Sequence, residues 1–261
     1  MHFVRVESPA KINWSLRITG KRQDGYHDLE TLFQTISLHD TLTFRASDRL
    51  SLTCDDPSIP ADETNLVLRA ARALGAPPVA IHLEKRIPAG GGLGGGSSNA
   101  AATLVALNRM FDLRRDDLAK LALGLGSDVP FFLVGGTAYA TGRGEVLTPV
   151  APLSGIPLLL LLPVERVLTR DAFARISCYS APVGIGAHRD FARFRNDFEE
   201  PVFAMLPRLG ELKERLYANG AIWAQLSGSG STMVAAFASA EARDAATPAF
   251  SDVQRVIAET T

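Results

Sequence analysis

The run Pro88-Ala89-Gly90-Gly91-Gly92-Leu93-Gly94-Gly95-Gly96-Ser97-Ser98-Asn99 places six glycines in seven positions, and a stretch of that kind constrains the chain more than any other. Glycine reaches backbone conformations closed to other residues and lets the chain approach a ligand closely, at a cost in conformational entropy. The residues that follow, Ser97 to Phe111, have helical apolar spacing and open on residue types that cap helices. A glycine loop running straight into a helix turns its amides and the positive end of the helix toward one point. That is an anion site, most readily one for phosphate.

Three patterns compete for the run. Gly90, Gly92 and Gly95 satisfy GxGxxG, but the dinucleotide fingerprint also asks for an acidic residue about twenty positions on, at the end of a second strand. Here that stretch, near Met110 to Asp112, is the end of a helix. Gly91 and Gly96 have the GxxxxG spacing of a Walker A loop, yet Ser97 stands where the phosphate-binding lysine belongs. A flexible linker would not ordinarily carry Ser-Ser-Asn-Ala-Ala into a helix. Phosphate binding through the backbone is the favoured reading.

The rest of the chain supplies the frame for this loop. At 261 residues it forms one large or two compact domains. A composition of 46% hydrophobic and 21% charged residues excludes a disordered or fibrous chain. The net charge of -1 gives no reason to expect nucleic acid or a membrane surface as partner, so local charges must hold any anion. Cys54 and Cys178 are far apart and lack metal-ligand spacing, and they read as reduced structural thiols. The N-terminal Met1 to Glu7 alternates like a strand and lacks the apolar core of a signal peptide, which points to a cytoplasmic protein. The most apolar run, Ile156 to Pro163, is far shorter than the roughly twenty residues that span a bilayer. It reads as a buried strand.

Short strands come first: Phe3 to Val6, Ile12 to Ile18, Leu32 to Leu38, Thr41 to Arg45, Leu50 to Thr53 and Val79 to Glu84. Helices over Asn65 to Leu74, Ser97 to Phe111 and Arg115 to Leu123 follow the same logic of spacing and caps, and two further strands lie near Thr137 to Ala140 and Val146 to Val150. The break Ala151-Pro152-Leu153-Ser154-Gly155 marks a boundary between domains 1–152 and 153–261. Beyond it, strands (156–162, 221–226, 233–237, 253–258) alternate with helices (170–176, 202–206, 211–219, 240–246), the pattern of a two-layer sandwich.

Positive charge for a transferring phosphoryl group must come from elsewhere, and the chain has five lysines: Lys11, Lys21, Lys85, Lys120 and Lys213. Lys11 lies in Ser8-Pro9-Ala10-Lys11-Ile12-Asn13, where by itself it reads as a snorkelling edge residue. Asp128 precedes Val129-Pro130-Phe131-Phe132, where by itself it reads as a helix cap. Neither decides a function alone.

Together they do. Pro-Ala-Lys-Ile-Asn at 9–13, the glycine run, and Leu226-Ser227-Gly228-Ser229-Gly230-Ser231 are three ordered motifs by which the chain resembles the GHMP kinases. Gly25-Tyr26-His27, Gly126 to Phe132 and Asn196-Asp197-Phe198-Glu199 are similar to the branch of the non-mevalonate isoprenoid pathway acting on diphosphocytidyl-methylerythritol. The resemblance implies an α+β, two-domain fold: an N-terminal domain like the second domain of ribosomal protein S5, and a ferredoxin-like C-terminal domain, with the active site in the cleft between. It implies ATP-dependent phosphorylation of the 2-hydroxyl of that small molecule, giving the 2-phosphate and ADP.

Carried over residue by residue, the resemblance makes Asp128 the general base and Lys11 the charge that keeps it ionised and steadies the attacking oxygen or the γ-phosphate. Pro88, Gly90, Gly91, Gly92, Leu93, Gly94, Gly95, Gly96, Ser97 and Ser98 would hold the ATP phosphates; the Mg2+ ligand is left open between Ser97, Ser98 and Asp128. Asn65, Leu66 and Lys85 match the adenine side of the nucleotide. Tyr26 would stack on cytosine and His27 would hydrogen-bond it. Phe173, in a segment beginning at Thr169, would be the second stacking ring, and Asn13 would lie near the methylerythritol hydroxyls. Two departures stand out: Trp14, where the family has a smaller residue, and the charged stretch Val164-Glu165-Arg166-Val167-Leu168. Asn196 to Glu199 reads as structural. The competing functions are another kinase of the same superfamily, such as homoserine or mevalonate kinase, and a nucleotide-binding sensor. A nicotinamide-dependent oxidoreductase rests on GxGxxG alone.

Overall fold

A computed structural model describes residues 3–187 and 190–261, so Met1 and His2 of the N-terminal stretch lie outside the described residues. The chain forms two compact bodies, neither continuous in sequence. The first takes the chain up to Ala10 with Leu38–Ala89 and Gly94–Gly135; the second takes Lys11–Ser37, Gly90–Leu93 and Gly136–Thr261.

Two long strands belong in part to each body. β1 runs Phe3–Lys21 and pairs with β2, His27–Ala46. The separate short strands expected at 3–6 and 12–18, and at 32–38 and 41–45, are therefore one strand each. Ser8-Pro9 and His39-Asp40 interrupt the apolar pattern, but neither position breaks the extended backbone. The polar groups there are satisfied by hydrogen bonds: the Ser8 hydroxyl donates to that of Ser98 at 2.7 Å, and Asp40 accepts several amides described below.

In the first body, residues 41–46 of β2 pair antiparallel with β4 (Val79–Glu84), and β3 (Ser51–Cys54) pairs parallel to β4. Four helices cover this sheet: α1 (Leu66–Leu74), α2 (Gly95–Met110), α3 (Leu118–Leu125) and the single turn α4 (Phe131–Val134). α1 begins where the Asn65 side chain accepts the Val67 amide at 2.9 Å and ends at Gly75, whose φ of +70° a residue with a side chain rarely adopts. α2 starts two residues before the expected Ser97, because Gly94 at φ +71° supplies the N-cap without a side chain. Leu42, Phe44, Val67, Leu74, Ile81, Leu83, Leu104 and Leu107 join the core of this body. Burial of each such side chain stabilises the fold by about 1.5–3 kcal/mol.

In the second body, residues 31–34 of β2 pair antiparallel with β5 (Thr137–Thr141), and β5 with β6 (Val146–Pro149). A second sheet holds β7 (Pro157–Leu162), β8 (Trp223–Leu226), β9 (Met233–Ala236) and β10 (Gln254–Glu259) in the order β10-β7-β9-β8, every pair antiparallel. Between β7 and β8 lie α5 (Thr169–Phe173), α6 (Glu199–Met205) and α7 (Pro207–Ala218); α8 (Ala240–Ala246) joins β9 to β10. This β-α-β-β-α-β order is the ferredoxin-like arrangement that the resemblance implied. Leu158 to Leu161 are fully buried, as a strand covered on both faces requires. Trp14 is buried too, with its ring 4.6 Å from that of Trp223. It alternates with Asn13 along β1 and so projects from the opposite face of the strand. Its bulk is spent on the core and not beside Asn13.

Candidate active site

The second body brings three separated motifs together. Lys11 is only 3% exposed, which rules out the snorkelling reading. Its ammonium donates to Asn13 Oδ1 at 2.7 Å, Asn13 Nδ2 donates to Thr31 Oγ1 at 2.8 Å, and the Thr31 hydroxyl donates to the Ser15 carbonyl at 2.7 Å. This chain of donors fixes the lysine head. The ammonium also lies 5.4 Å from the centre of the Phe33 ring.

The Lys11 amide donates to the Leu93 carbonyl at 3.0 Å, which ties the first motif to the glycine loop. The third motif closes on the same loop: the Ser227 hydroxyl donates to the Gly92 carbonyl at 2.9 Å. A methyl group built on Gly228 would stand 3.4 Å from Lys11 Nζ, so the turn passes directly over the ammonium. Asn196 holds this turn from behind, donating to the carbonyls of Leu226 and Gly228 at 2.9 and 2.8 Å.

Within the loop, Gly90, Gly92 and Gly94 have φ of +74°, +79° and +71°, while Gly91 and Leu93 between them do not share that sign. Alternation of this kind turns successive amides toward one side and makes an anion-binding concavity.

The first body carries the other end of the loop. The amides of Gly95, Gly96 and Ser97 precede the first hydrogen bond of α2, which runs from Ser98 to Gly94, and have no partner within the helix. Leu66 lies 3.8 Å from the position of a side chain on Gly96, and Lys85 Nζ 3.3 Å from that on Gly95. Asn65 spends its amide on helix capping and on the Pro60 carbonyl. Lys85 is committed as well: its ammonium meets Asp40 at 3.0 Å and donates to the Ile87 carbonyl, with the two side chains 7% and 0% exposed. Asp40 also accepts the Arg86 and Ile87 amides at 2.7 Å each and Asn99 Nδ2 at 3.0 Å. This buried pair anchors the strand end from which the glycine loop departs.

Asp128 sits half-buried in the turn before α4, where Pro130, and not Asp128, is the N-cap residue. Ser98 is buried and its hydroxyl accepts from Ser8, whereas Ser97 is only half-buried. Among the described residues no group of three His, Cys, Asp or Glu side chains could hold a metal ion.

The aromatic residues form a separate surface of the second body. Tyr26 exposes 53% of its surface, and the guanidinium of Arg143 lies 4.5 Å from its ring centre. The His27 ring stacks on that of Phe173 at 4.7 Å and 17°, and Phe173 meets Phe198 edge-on at 4.8 Å. Burial, and then the charge of Lys21, lower the His27 pKa from its ordinary 6.5. Thr169 Oγ1 lies 2.9 Å from Ser229 Oγ, which joins the start of α5 to the third motif. Asp197 accepts the Ile18 amide at 2.8 Å, and Asn196 the Phe198 amide at 3.0 Å, so the Asn196 to Glu199 stretch is a structural hub.

Sequence reasoning passed over Asp40, Asn196 as a brace of the Gly228 turn, and Arg143. The only signal for Asp40 was a carboxylate inside an apolar strand. The partners of the other two are at least thirty and more than a hundred positions away.

Comparison with known proteins fits this geometry. Residues 65–136 match the model of the GHMP kinases N terminal domain and residues 183–254 that of the GHMP kinases C terminal, the class that fold and motifs define. A 4-diphosphocytidyl-2-C-methyl-D-erythritol kinase from Chlorobium phaeobacteroides is 43% identical over 94% of this chain and 92% of its own; one from Prosthecochloris aestuarii is 41% identical over 91% and 90%. The crystal structure of a 4-(cytidine 5'-diphospho)-2C-methyl-D-erythritol kinase superposes with a TM-score of 0.87 at 35% identity, covering 98% of this chain and 99% of that one. The chain belongs to the 4-diphosphocytidyl-2-C-methyl-D-erythritol kinase family.

Proposed function

We propose that the protein transfers the γ-phosphoryl group of ATP to the 2-hydroxyl of 4-diphosphocytidyl-2-C-methyl-D-erythritol. The observation that carries this is the meeting of Lys11, Gly92 and the Ser227 to Gly230 turn in one body, which joins a buried ammonium to a loop shaped for phosphate. Phosphoryl transfer asks a protein for little covalent chemistry; it asks for positioning and for neutralisation of charge.

In this reading the glycine-loop amides and the first turn of α2 cradle the triphosphate. Asp128 accepts the proton of the 2-hydroxyl, the 2-oxygen bonds to the γ-phosphorus, and the bond to the β–γ bridging oxygen breaks to leave ADP. Lys11, held by Asn13, neutralises charge on the attacking oxygen or the γ-phosphate. Mg2+, when bound, neutralises charge on the phosphates, and Ser97 is the residue of this chain that would hold it. Asn65 and Leu66 line the adenine side through the start of α1, and Lys85 acts there through its anchoring of the loop.

An exposed Tyr26 ring beside a His27 imidazole suits a flat, hydrogen-bonding base such as cytosine. Phe173, stacked on His27, completes that aromatic surface, with Thr169 fixing the segment. A homoserine or mevalonate kinase would have no use for it. We divide the chain functionally at 152/153, in a connection without helix or strand that lies between the two matched GHMP regions. Both cysteines are free and among the described residues no helix is long and apolar enough to cross a membrane, which supports a cytoplasmic site of action.

The test is ADP release with ATP and Mg2+ in the presence of the cytidyl substrate, homoserine, mevalonate or no acceptor. ADP release with the cytidyl substrate alone is expected. Equal release with another acceptor contradicts the substrate assignment, and none with any acceptor contradicts the kinase reading.

A further inference from the structure

Arg166 lies in the connection between β7 and α5, in the charged stretch Val164 to Leu168. Its Nη1 stands 3.7 Å from the point where a side chain on Gly90 would begin. Gly90 has no side chain and a φ of +74°, so the guanidinium lies against bare backbone at the entrance of the glycine loop. The connection is pinned on both sides of it. Glu165 accepts from Arg208 at 3.1 Å, Val167 packs on the core of the second body, and Thr169 meets Ser229.

We infer that Arg166 is a phosphate-contacting residue of the donor-nucleotide site. It supplies beside Gly90 the fixed positive charge that a lysine provides in the GxxxxGK loop and that Ser97 cannot provide here. The inference rests on the kinase reading above. Lys85, the cation beside Gly95, meets Asp40 and the Ile87 carbonyl, whereas the cation that stands beside Gly90, at the start of the glycine run, is Arg166. A guanidinium suits that position: it keeps its charge at any physiological pH, and its planar fork of donors matches two phosphate oxygens at once.

The test is calorimetric titration of the full-length protein with ATP and with adenosine, together with the KM values for ATP and the cytidyl substrate. Arg166→Ala is expected to weaken ATP binding and raise the ATP KM by about tenfold, the scale of one charge-assisted contact. Adenosine binding and the KM for the cytidyl substrate should stay within about twofold, since neither draws on the donor phosphates. Arg166→Lys, which keeps the charge but loses the fork, should recover part of the loss. A normal ATP affinity in Arg166→Ala overturns the inference while leaving the kinase reading intact. Equal weakening toward ATP and adenosine also overturns it, because a loop distorted by the substitution would not discriminate by phosphate. Failure of the unsubstituted protein both to bind ATP and to release ADP overturns the kinase reading and this inference with it.

Discussion

Gly92 and Ser227 meet backbone to backbone: a methyl group on Gly92 would stand 1.9 Å from the Ser227 carbonyl oxygen. Gly230 closes the same contact from the other side, with its own methyl position 2.4 Å from the Gly92 nitrogen. The second and third motifs are therefore two halves of one seam. Their glycines are required by mutual approach as much as by any ligand.

Gly92→Ala should consequently abolish correct loop closure. A backbone atom cannot yield as a side chain tip can, and φ +79° adds strain of about 1–3 kcal/mol. Steady-state assays should give a fall in kcat/KM for ATP of at least about fivefold for the strain alone. Gly124→Ala is the control: it lies in α3, has no positive φ, and a methyl group there meets nothing within 4 Å. It should retain turnover within a few-fold; equal damage from both substitutions would show that the seam is not the cause.

Asp128→Asn removes the proposed base while preserving size. Turnover should drop by about a hundredfold to ten-thousandfold with ATP affinity nearly unchanged. Near-normal kcat would remove Asp128 from the mechanism.

Tyr26→Ala deletes the exposed ring proposed to carry cytosine. Substrate binding should weaken by about 1–3 kcal/mol, read as a rise in the KM for the cytidyl substrate at constant KM for ATP. An unchanged value would mean that the base stacks elsewhere.

Asp40→Ala leaves the Lys85 ammonium buried without its carboxylate and strands the amides of Arg86 and Ile87. Breaking one side of a buried pair costs about 3–5 kcal/mol, which urea unfolding should resolve. A loss below about 1 kcal/mol, the scale of an exposed pair, would contradict the anchoring role.

The pH dependence of His27 follows from its surroundings. Burial and Lys21 lower its pKa, so the ring is neutral at pH 7 and protonates only at a pH below the ordinary 6.5. The unfolded chain takes up that proton first, so its contribution to stability is complete above 6.5 and declines as the pH falls. The KM for the cytidyl substrate should be flat from pH 8 to 6.5 and rise below it. An NMR titration of the imidazole with a midpoint at or above 6.5 would refute this assignment.

Much of the fold is legible in the chain because local rules govern it. Asn65 before an apolar helical pattern, Gly75 after it, the alternation of Val79 to Glu84 and the leucines of β7 each specify their element within a few residues. The three motifs are legible for the same reason, since the loop, the lysine strand and the Ser-Gly turn are contiguous stretches of distinctive composition. Their meeting is not. Nothing near Gly92 says that Ser227 and Gly230 will press against its backbone, nothing near Lys85 says that Asp40 will bind its charge, and nothing near Arg166 says that it will reach Gly90. Interactions between residues dozens to more than a hundred positions apart depend on strand register and on the path of the chain, which no local pattern encodes. β1 and β2 illustrate the limit from the other side: Ser8-Pro9 and His39-Asp40 look like interruptions until partners across the body satisfy their polar groups. By itself the sequence determined most of the local elements and the motifs that place the chain among the GHMP kinases. Tertiary structure alone decided which charges were already spent and which side chains share a site, because both depend on long-range packing.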